Sequence, residues 1–530
     1  MRLLRSILGG LAVAAVLAVA PLSAKTPANV LVVAKNIDDI VSLDPAQAYE
    51  FTSGEIVVNL YDRLVQYDPA NLEKLQPSLA ESWKVSDDGK TITFKLRPGV
   101  KFSSGNPLRP EDVVFSFKRV IVLKKAPAFI LSQFGWTADN IDQMVKKVSA
   151  DEVAVTIAEK FAPSFVLNAL AARPGAIVDE VEAMKNAKDG DLGNGWLTRN
   201  SAGTGPFTLR AWRAGEGVTL DANPTHFRGA PKLRQVVLRH VAEAGAQRLL
   251  IENGDADIAR NLGPDQIAAL AEKPGVKIEN YPQAAVHFLS LNIKHEKLKN
   301  PALWEALRWM IDYDGIAKTL LRGQMKVHQA FWPEGFAGSV DDTPFKLDIA
   351  KAKEILAKGG VQPGLTIDMD VISSAPFTDI GQSIQATMAQ AGVKLNLIPG
   401  SSAQVITKYR ARNHEAMLLY WGPDFMDPHS NAKAFAYNTD NSDGAPQSTT
   451  TWRNSWAPAE LSKLTQAALV EPDAGKRLDM YRELQRAVMK EAPWAMTFQA
   501  QAQVALRSEV KGFIHGAVSD LVFYSGVTKD

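Results

Sequence analysis

The chain of 530 residues is longer than a single hydrophobic core usually supports, so we expect it to form two or three domains. Its 59 lysines and arginines balance 58 aspartates and glutamates, which excludes a global charge that would favour nucleic acid or anionic lipid. The sequence contains no cysteine, which excludes disulfides, thiolate metal sites and a cysteine nucleophile.

The first predicted element is a secretory signal peptide over residues 1–24. Arg2 and Arg5 precede an apolar run over 7–20, and small residues end the segment at Ala24. This order is typical of a signal peptide that is removed after export. A membrane anchor is the alternative, but the apolar run is short for crossing roughly 30 Å of hydrocarbon. We therefore predict cleavage after Ala24 and export to a bacterial periplasm.

The next clear element is a β-hairpin. Asp88 and Gly89 lie between two strand-like runs, and this pair favours the positive φ of a hairpin turn. After the turn, Ile92, Phe94 and Leu96 alternate with polar residues. The alternation predicts a strand with one buried face and one face in water.

Four helices are predicted from their start signals and apolar spacing. One begins at Pro110, a second follows the N-cap Asn300, a third begins at Asp348 and stops at Gly359, and a fourth covers 474–490. Helical and strand patterns alternate along the chain without an internal repeat, which favours an α/β or α+β architecture.

Signals of catalysis are nearly absent from the sequence. No Gly-x-Ser-x-Gly elbow or P-loop is present, and neither His295-Glu296 nor His414-Glu415 is followed by the second histidine of a zinc-protease motif. We therefore predict no catalytic residue, no metal and no cofactor. A hydrolase that uses two distant carboxylates stays open as an alternative.

Asp424 stands out because it follows an apolar run at 416–419, in the stretch "YWGPDFMDPHS". Three interpretations compete for it: a turn residue, a catalytic acid, or a fixed negative charge for a cationic ligand. Asp427 is followed by Pro428, and an Asp-Pro step by itself is typical of a turn.

The stretch over residues 80–120 closely resembles the most recognisable segment of the peptide- and nickel-type solute-binding proteins of ABC importers, called family 5 or cluster C. Further segments resemble that family in the same order along the chain. They are "SLDPAQAY" at 42–49, "NLYDRLVQYDP" at 59–69, "GTGPFTL" at 203–209, "NP" at 223–224, "LLIENGDADIA" at 249–259, "LSLNIKHEKLKNPALWEALRWMID" at 289–312, "DIAKAKEILAKGG" at 348–360 and "WGPDFMDP" at 421–428.

The resemblance implies an α/β fold of the two-lobed periplasmic binding protein type (type II), with an additional third domain. A ligand would lie between the lobes and be enclosed when they close. The implied parts are a first lobe over 25–55, 203–282 and 501–530, an additional domain over 56–202, a second lobe over 283–500, and a hinge at the chain crossings near 282 and 500.

The resemblance also implies ligand-binding residues. Asp424 falls on the aspartate that pairs with the free α-amino group of the ligand in peptide-binding members. Trp421 would form an apolar wall beside it. Phe51, Thr52 and Ser53 follow the 42–49 match, where members of the family line the cleft from the first lobe.

The function implied is capture of a short peptide or similar amine-bearing solute in the periplasm. The partners would be an ABC permease and its ATPase complex at the inner membrane, with no nucleic acid, and the protein would be a monomer. The segment 429–447 matches neither the dipeptide nor the oligopeptide subgroup. Other solutes (an opine, an oligosaccharide or a metal chelate) therefore stay open, as do a secreted hydrolase and a chaperone-like or signalling role.

Overall fold

The computed structural model describes residues 26–373, 376–400, 402–445 and 449–530. The predicted signal peptide over 1–24 lies outside these residues. In the part of the chain that is described, no helix has the length and apolar character needed to span a membrane.

The strands and helices are as follows. The strands are β1 (Val30–Lys35), β2 (Val65–Asp68), β3 (Asn71–Pro77), β4 (Ala80–Val85), β5 (Thr91–Leu96), β6 (Val145–Lys147), β7 (Glu152–Thr156), β8 (Phe207–Arg213), β9 (Gly217–Ala222), β10 (Gln235–His240), β11 (Ile258–Ala259), β12 (Val276–Leu291), β13 (Met325–Val327), β14 (Thr366–Ile372), β15 (Lys394–Gly400), β16 (Ala416–Trp421), β17 (Trp494–Arg507), β18 (Val510–Lys511), β19 (Ile514–His515), β20 (Val522–Phe523) and β21 (Thr528–Lys529). The helices are α1 (Phe51–Leu60), α2 (Pro110–Leu123), α3 (Phe129–Ser132), α4 (Ile141–Met144), α5 (Pro163–Leu170), α6 (Glu180–Lys185), α7 (Asn194–Leu197), α8 (Ala244–Asn253), α9 (Pro264–Ala271), α10 (Pro301–Trp309), α11 (Tyr313–Ile316), α12 (Ile349–Lys358), α13 (Phe377–Gln390), α14 (Ser402–Arg410), α15 (Pro428–Ala436), α16 (Thr450–Arg453), α17 (Ala459–Val470) and α18 (Ala474–Glu491).

Eleven strands, counted over the described residues, form one large mixed sheet in the order β15-β14-β16-β12-β17-β11-β1-β10-β9-β8, with β13 paired to β17. Strand β1 pairs in parallel with β10 and β11, and β14 pairs in parallel with β15 and β16, whereas the remaining pairs are antiparallel. Helices cover the sheet, and the predicted α/β class is confirmed.

The long strands β12 and β17 run from one half of this sheet to the other. Their antiparallel pairing is interrupted between Pro282 and Val286. Within the interruption, the amide of Ala284 donates instead to the carbonyl of Ala517, at 2.8 Å. The break lies near residues 282 and 500, where the sequence predicts that the chain crosses between the lobes. The domain boundaries stay predictions.

The predicted hairpin is confirmed as strands β4 and β5, which belong to a separate four-stranded antiparallel sheet in the order β4-β5-β7-β6. Gly89 has φ +71° in the connecting turn, a conformation that glycine adopts without a Cβ clash. Ile92, Phe94 and Leu96 are buried, as their alternation predicts.

The four predicted helices are also confirmed, as α2, α10, α12 and α18. The side chain of Asn300 accepts a hydrogen bond from the amide of Ala302, and Asp348 accepts one from the amide of Lys351. Each residue therefore caps its helix, because the first amides of a helix have no partner within it.

One apolar core joins the small sheet and its helices to the region around β16 and α15. Phe165 on α5 meets Phe425, which follows β16, with ring centroids 5.6 Å apart in an edge-to-face arrangement. This contact fixes the position of the chain just after β16 against the segment that the sequence assigns to the additional domain.

Candidate functional site

The candidate site is built around the loop between β16 and α15. The apolar side chains of 416–419 are buried in the sheet, and the strand ends at Trp421. Asp424 follows in the loop, and its backbone amide donates to the hydroxyl of Ser430 at 2.9 Å. The strand and this bond hold the Asp424 carboxyl, which is half-buried, at the edge of the sheet.

Tyr49 contacts Asp424 from a distant part of the chain. Its hydroxyl donates to the Asp424 carboxylate at 3.3 Å, a long bond by the usual standard. Burial and the neighbouring Asp424 carboxylate raise the pKa of Tyr49 to about 12, so the phenol stays protonated and can donate. The segment just before α1 and the loop after β16 therefore meet at Asp424.

Beside Asp424 lies a cavity of about 350 Å³. Its walls come from α3, the loop after β16, α15 and α16, so three distant segments of the chain meet there. The lining residues are Phe129, Gln133, Trp421, Asp424, Phe425, His429, Ser430, Lys433, Ala434, Thr449 and Arg453. The mixture of aromatic walls and a few charged groups is typical of a small-molecule site.

The charge of Asp424 is only weakly compensated. Burial raises the pKa of its carboxyl, and the hydrogen bond from Tyr49 and the charge of Lys433 offset this only in part. Among the described residues, no lysine, arginine or histidine forms an ion pair with it. A cationic group in the cavity would stabilise the ionised carboxylate by a charge-assisted hydrogen bond.

Asp427 is a contrasting carboxylate in the same loop. It is fully buried, and Arg477 donates to both of its oxygens, at 2.7 and 2.8 Å. Asn168 donates at 2.8 Å, and the amide of His429 donates at 2.9 Å, so Asp427 also caps α15. These bonds satisfy Asp427 completely and give it a structural role.

His429 lines the cavity as a neutral imidazole. Burial lowers its pKa to about 3, and the nearby charge of Asp427 does not reverse this effect. Its Nδ1 lies 3.1 Å from the hydroxyl of Tyr481. In the described part of the chain, no group of three or more His, Asp or Glu side chains is placed to hold a metal ion.

A second cavity, of about 400 Å³, lies between the end of α1, strands β2 and β3, the loop after β9 and the last residues of the chain. Asp62, Arg63, His226 and Arg228 are among its lining residues. None of the residues predicted to bind ligand from the sequence is among the described residues that line it.

The family profile of the bacterial extracellular solute-binding proteins, family 5, matches residues 74–443 of this sequence. The chain belongs to this family. The family is defined by the binding of solutes rather than by a reaction, in agreement with the predicted resemblance.

Relatives of known name cover nearly the whole chain. The probable D,D-dipeptide-binding periplasmic protein of Escherichia coli strain K12 is 29% identical over 505 residues, which are 94% of this chain and 94% of that protein. A dipeptide-binding protein of Pseudomonas aeruginosa is 27% identical and covers 91% of this chain and 92% of its own length.

Solved structures share the fold of family 5. HbpA2 from Haemophilus parasuis has a TM-score of 0.82 at 23% identity, covering 95% of this chain and 100% of that one. The ABC transporter-associated periplasmic binding protein DppA from Helicobacter pylori, in complex with peptide STSA, has a TM-score of 0.73 at 22% identity, covering 94% and 98%. The predicted fold of a type II periplasmic binding protein is thereby confirmed.

The structure brings together some of the predicted site residues of this family 5 protein. Asp424 and Trp421 line the same cavity. Phe51, Thr52 and Ser53 begin α1 and are not among the described residues of that cavity. Phe51 is 76% exposed, whereas Thr52 and Ser53 are almost completely buried and have little side-chain surface to offer a ligand. A ligand-binding role for each of these residues stays a prediction.

The residues at the site that the sequence reasoning missed include Tyr49 and Arg453. Tyr49 ends the "SLDPAQAY" segment, so the resemblance located its region but named the residues that follow it. Arg453 lies at the end of α16, beyond the segment that could be matched. Its only signal in the sequence is a positive charge between Trp452 and Asn454, which is not specific.

Proposed function

We propose that this protein is the periplasmic solute-binding component of an ABC importer and that it captures short peptides with a free amino group. Asp424 would bind the ammonium of the peptide, and Trp421 would form a wall of the cavity. The observation that carries this proposal is a half-buried carboxylate that faces a cavity without an ion-pair partner among the described residues.

A carboxylate in this environment favours a cationic ligand. Its pKa is raised because burial removes water from the ionised form, and a bound ammonium would replace that water. Removal of one partner of such a buried charge pair typically costs about 2–5 kcal/mol. A neutral sugar could not replace the lost solvation in the same way.

The names of related proteins support a peptide as the ligand class. The Escherichia coli relative is named for D,D-dipeptides, and the Helicobacter pylori structure contains a peptide. Both match over more than nine-tenths of this chain.

We also propose that the first lobe, the additional domain and the second lobe have the predicted boundaries, with a hinge near 282 and 500. The break in the β12–β17 pairing at Pro282 supports this position, because a sheet bends most easily where its hydrogen-bond ladder is interrupted. The Tyr49–Asp424 hydrogen bond would then join the two lobes in a closed conformation.

The remaining parts of the proposal are cellular. Residues 1–24 would direct export and be removed after Ala24, and the monomeric protein would deliver its ligand to a permease and ATPase complex at the inner membrane. Family membership and the periplasmic names of the relatives support this location.

A thermal-shift screen tests the ligand class. Purified protein is mixed with a pool of dipeptides, with oligosaccharides, with opines or with nickel–histidine chelates, and we expect only the dipeptide pool to raise the melting temperature. Mass spectrometry of the dipeptides after incubation should recover them intact. A shift with sugars but not with peptides would contradict the proposal, and release of free amino acids would indicate a hydrolase.

A further inference from the structure

The second cavity, at the end of α1, contains a buried arginine whose hydrogen-bond donors lack an acceptor. Arg63 is 4% exposed and lines this cavity of about 400 Å³. Its Nε and Nη2 atoms are buried, and within the described residues neither has a hydrogen-bond partner. Buried donors are almost always paired in folded proteins, so the two free donors of Arg63 indicate a missing acceptor.

The two free donors lie on one edge of the guanidinium. The group is planar, and its Nε and Nη2 atoms direct their N–H bonds to the same side, as a fork. A fork of this kind matches two oxygens of a carboxylate or a phosphate. The acceptor that best satisfies Arg63 is therefore an oxyanion.

The carboxylates of the cavity wall do not supply this acceptor. Asp62 and Asp520 both line the cavity, but each pairs with another arginine. Asp62 pairs with Arg228, and Oδ1 of Asp520 lies 2.7 Å from Nε of Arg173. In the part of the chain that the structure describes, neither carboxylate forms an ion pair with Arg63.

Positive charge exceeds negative charge in the cavity wall. Arg63, Arg228 and Lys232 line the cavity against the two carboxylates. Lys232 is exposed and forms no ion pair with any described residue. Burial lowers the pKa of Arg63, and the carboxylates offset this effect only in part. A bound anion would compensate the charge that the fold leaves unpaired.

Other buried arginines of the protein differ from Arg63 in this respect. Arg477 forms two hydrogen bonds with Asp427, and Arg119 forms two with Asp44, at 2.6 and 2.8 Å. These pairs are complete within the fold. Arg63 has no such pair and lies beside a cavity instead.

The rest of the wall would suit an organic group beside the anion. Tyr61, Tyr67 and Phe523 line the same cavity. Its volume of about 400 Å³ is within the range of roughly 300–1,000 Å³ for small-molecule sites. A water molecule takes up roughly 30 Å³ in the liquid, so the cavity has room for an oxyanion and a small body attached to it.

We propose that this second cavity binds a phosphate group, either the free ion or the phosphate of a small ester, and that Arg63 is its main anion-binding residue. Nε and Nη2 of Arg63 would donate to two phosphate oxygens, and Lys232 would add a further positive charge. A phosphate suits this wall better than a carboxylate because it brings three acceptor oxygens to three cations.

The phosphate site is separate from the peptide site. The described residues that line the second cavity include none of those that line the cavity beside Asp424. The inference therefore goes beyond the proposed function and does not depend on it.

Calorimetry tests the phosphate site with three probes. Inorganic phosphate, glycerol 3-phosphate and acetate are titrated into the wild type, Arg63→Gln, Lys232→Gln and Lys84→Gln, at an ionic strength kept constant with sodium chloride so that screening is equal. Lys84 is an exposed lysine of β4 outside the cavity and provides the matched control. A dipeptide pool is titrated into the same proteins, and circular dichroism checks that each variant folds.

We expect both phosphate compounds to bind the wild type and acetate to bind more weakly. Arg63→Gln should weaken phosphate binding by roughly 30-fold or more, because it removes the buried fork. Lys232→Gln should weaken it by less than about fivefold, because an exposed charge is screened by water. Lys84→Gln should bind as the wild type does, and all four proteins should bind the dipeptide pool equally.

The comparison of the two phosphate compounds identifies the source of the anion. Tighter binding of glycerol 3-phosphate would support a small ester, and tighter binding of inorganic phosphate would support the free ion. If Arg63→Gln does not fold, hydrogen exchange of the wild type replaces it. Glycerol 3-phosphate should then slow exchange in the segments 61–67, 226–232 and 520–528, which contribute to the cavity wall.

Four outcomes would overturn the phosphate site. They are no binding of either phosphate compound, acetate binding as tight as phosphate binding, wild-type affinity for phosphate in Arg63→Gln, and slowed exchange only outside the three segments. None of them affects the proposed function if the dipeptide pool still binds. Loss of dipeptide binding with phosphate binding retained would contradict the proposed function and leave the phosphate site intact.

Discussion

Asp424 and Asp427 lie in the same loop between β16 and α15, yet their surroundings are opposite. Asp427 is fully buried and receives two hydrogen bonds from Arg477, one from Asn168 and one from the amide of His429. Asp424 is half-buried and receives one long hydrogen bond to its carboxylate, from Tyr49. The first carboxylate completes the fold, and the second is available to a ligand. Burial of a charge therefore indicates a binding role only where its partners are missing.

The largest effect expected from this comparison is on stability. Asp427→Ala leaves the Arg477 guanidinium buried without its counter-charge, so we expect the free energy of unfolding to fall by about 3–5 kcal/mol. Urea denaturation followed by circular dichroism measures the change. The matched variant Asp424→Ala should lose little stability; equal losses in the two variants would remove the distinction between the carboxylates.

The next effect is on binding. Asp424→Asn removes the charge that pairs with the ammonium, so we expect the affinity for a free dipeptide to fall by about 2–5 kcal/mol, roughly 30-fold to several thousand-fold. Calorimetry measures the affinity. Asp479→Asn, an exposed change on α18, serves as the control and should bind as the wild type does. Unchanged affinity in Asp424→Asn would mean that the ammonium lies elsewhere.

The affinity for a peptide should depend on pH through the ionisation of Asp424. An ammonium binds the ionised form of Asp424, whose pKa is raised by burial. We expect affinity to fall as the pH drops through this raised pKa, which lies above the usual value of about 4. The affinity of Asp424→Asn should not follow this curve, and calorimetry over a series of pH values tests both proteins.

The same pKa shifts predict opposite effects on stability. The folded protein without ligand binds a proton at Asp424 more readily than the unfolded chain does, so this group contributes stability as the pH falls through its raised pKa. At Asp427, burial opposes ionisation, but the Arg477 ion pair outweighs it and lowers the pKa. Its contribution is present above the unfolded pKa and is lost as the pH falls through the lowered value.

The smallest expected effect concerns Tyr49. Tyr49→Phe removes one hydrogen bond to Asp424 and keeps the ring, so we expect dipeptide affinity to weaken by about 0.5–1.5 kcal/mol. Calorimetry against the wild type measures the change. Tighter binding would show that the phenol competes with the ligand instead of supporting the closed site.

Much of this arrangement could be predicted from local sequence. The N-caps Asn300 and Asp348, the turn at Gly89 and the buried run before Asp424 each depend on residues close in the chain. Caps, turns and strand alternation depend on contacts between residues that are close in the chain. They can therefore be predicted from the local sequence. The resemblance to family 5 then indicated the loop after β16, where Asp424 lines a cavity; its binding role stays a prediction.

The partners of the site residues could not be predicted in the same way. Tyr49 and Asp424 are 375 residues apart, and Arg477 is 50 residues from Asp427. The resemblance pointed to the start of α1, but a sequence match does not show which way each side chain points. Of the three residues predicted there, Thr52 and Ser53 are buried. A buried donor without a hydrogen-bond partner among the described residues, such as the Nε of Arg453, can be recognised only from the positions of its neighbours.

The interruption between Pro282 and Val286 lies at the proposed hinge and would determine how the protein bends there. Along the rest of β12 and β17, bending strains backbone bonds between the strands, but here the Ala284 amide is already bonded to Ala517 near the chain's end. In the proposed hinge, the carboxyl-terminal segment would thus be a third connection beside β12 and β17. A rotation that opens the cavity would bend β12, β17 and the carboxyl-terminal segment at one place. The two proposed lobes would then rotate as rigid bodies.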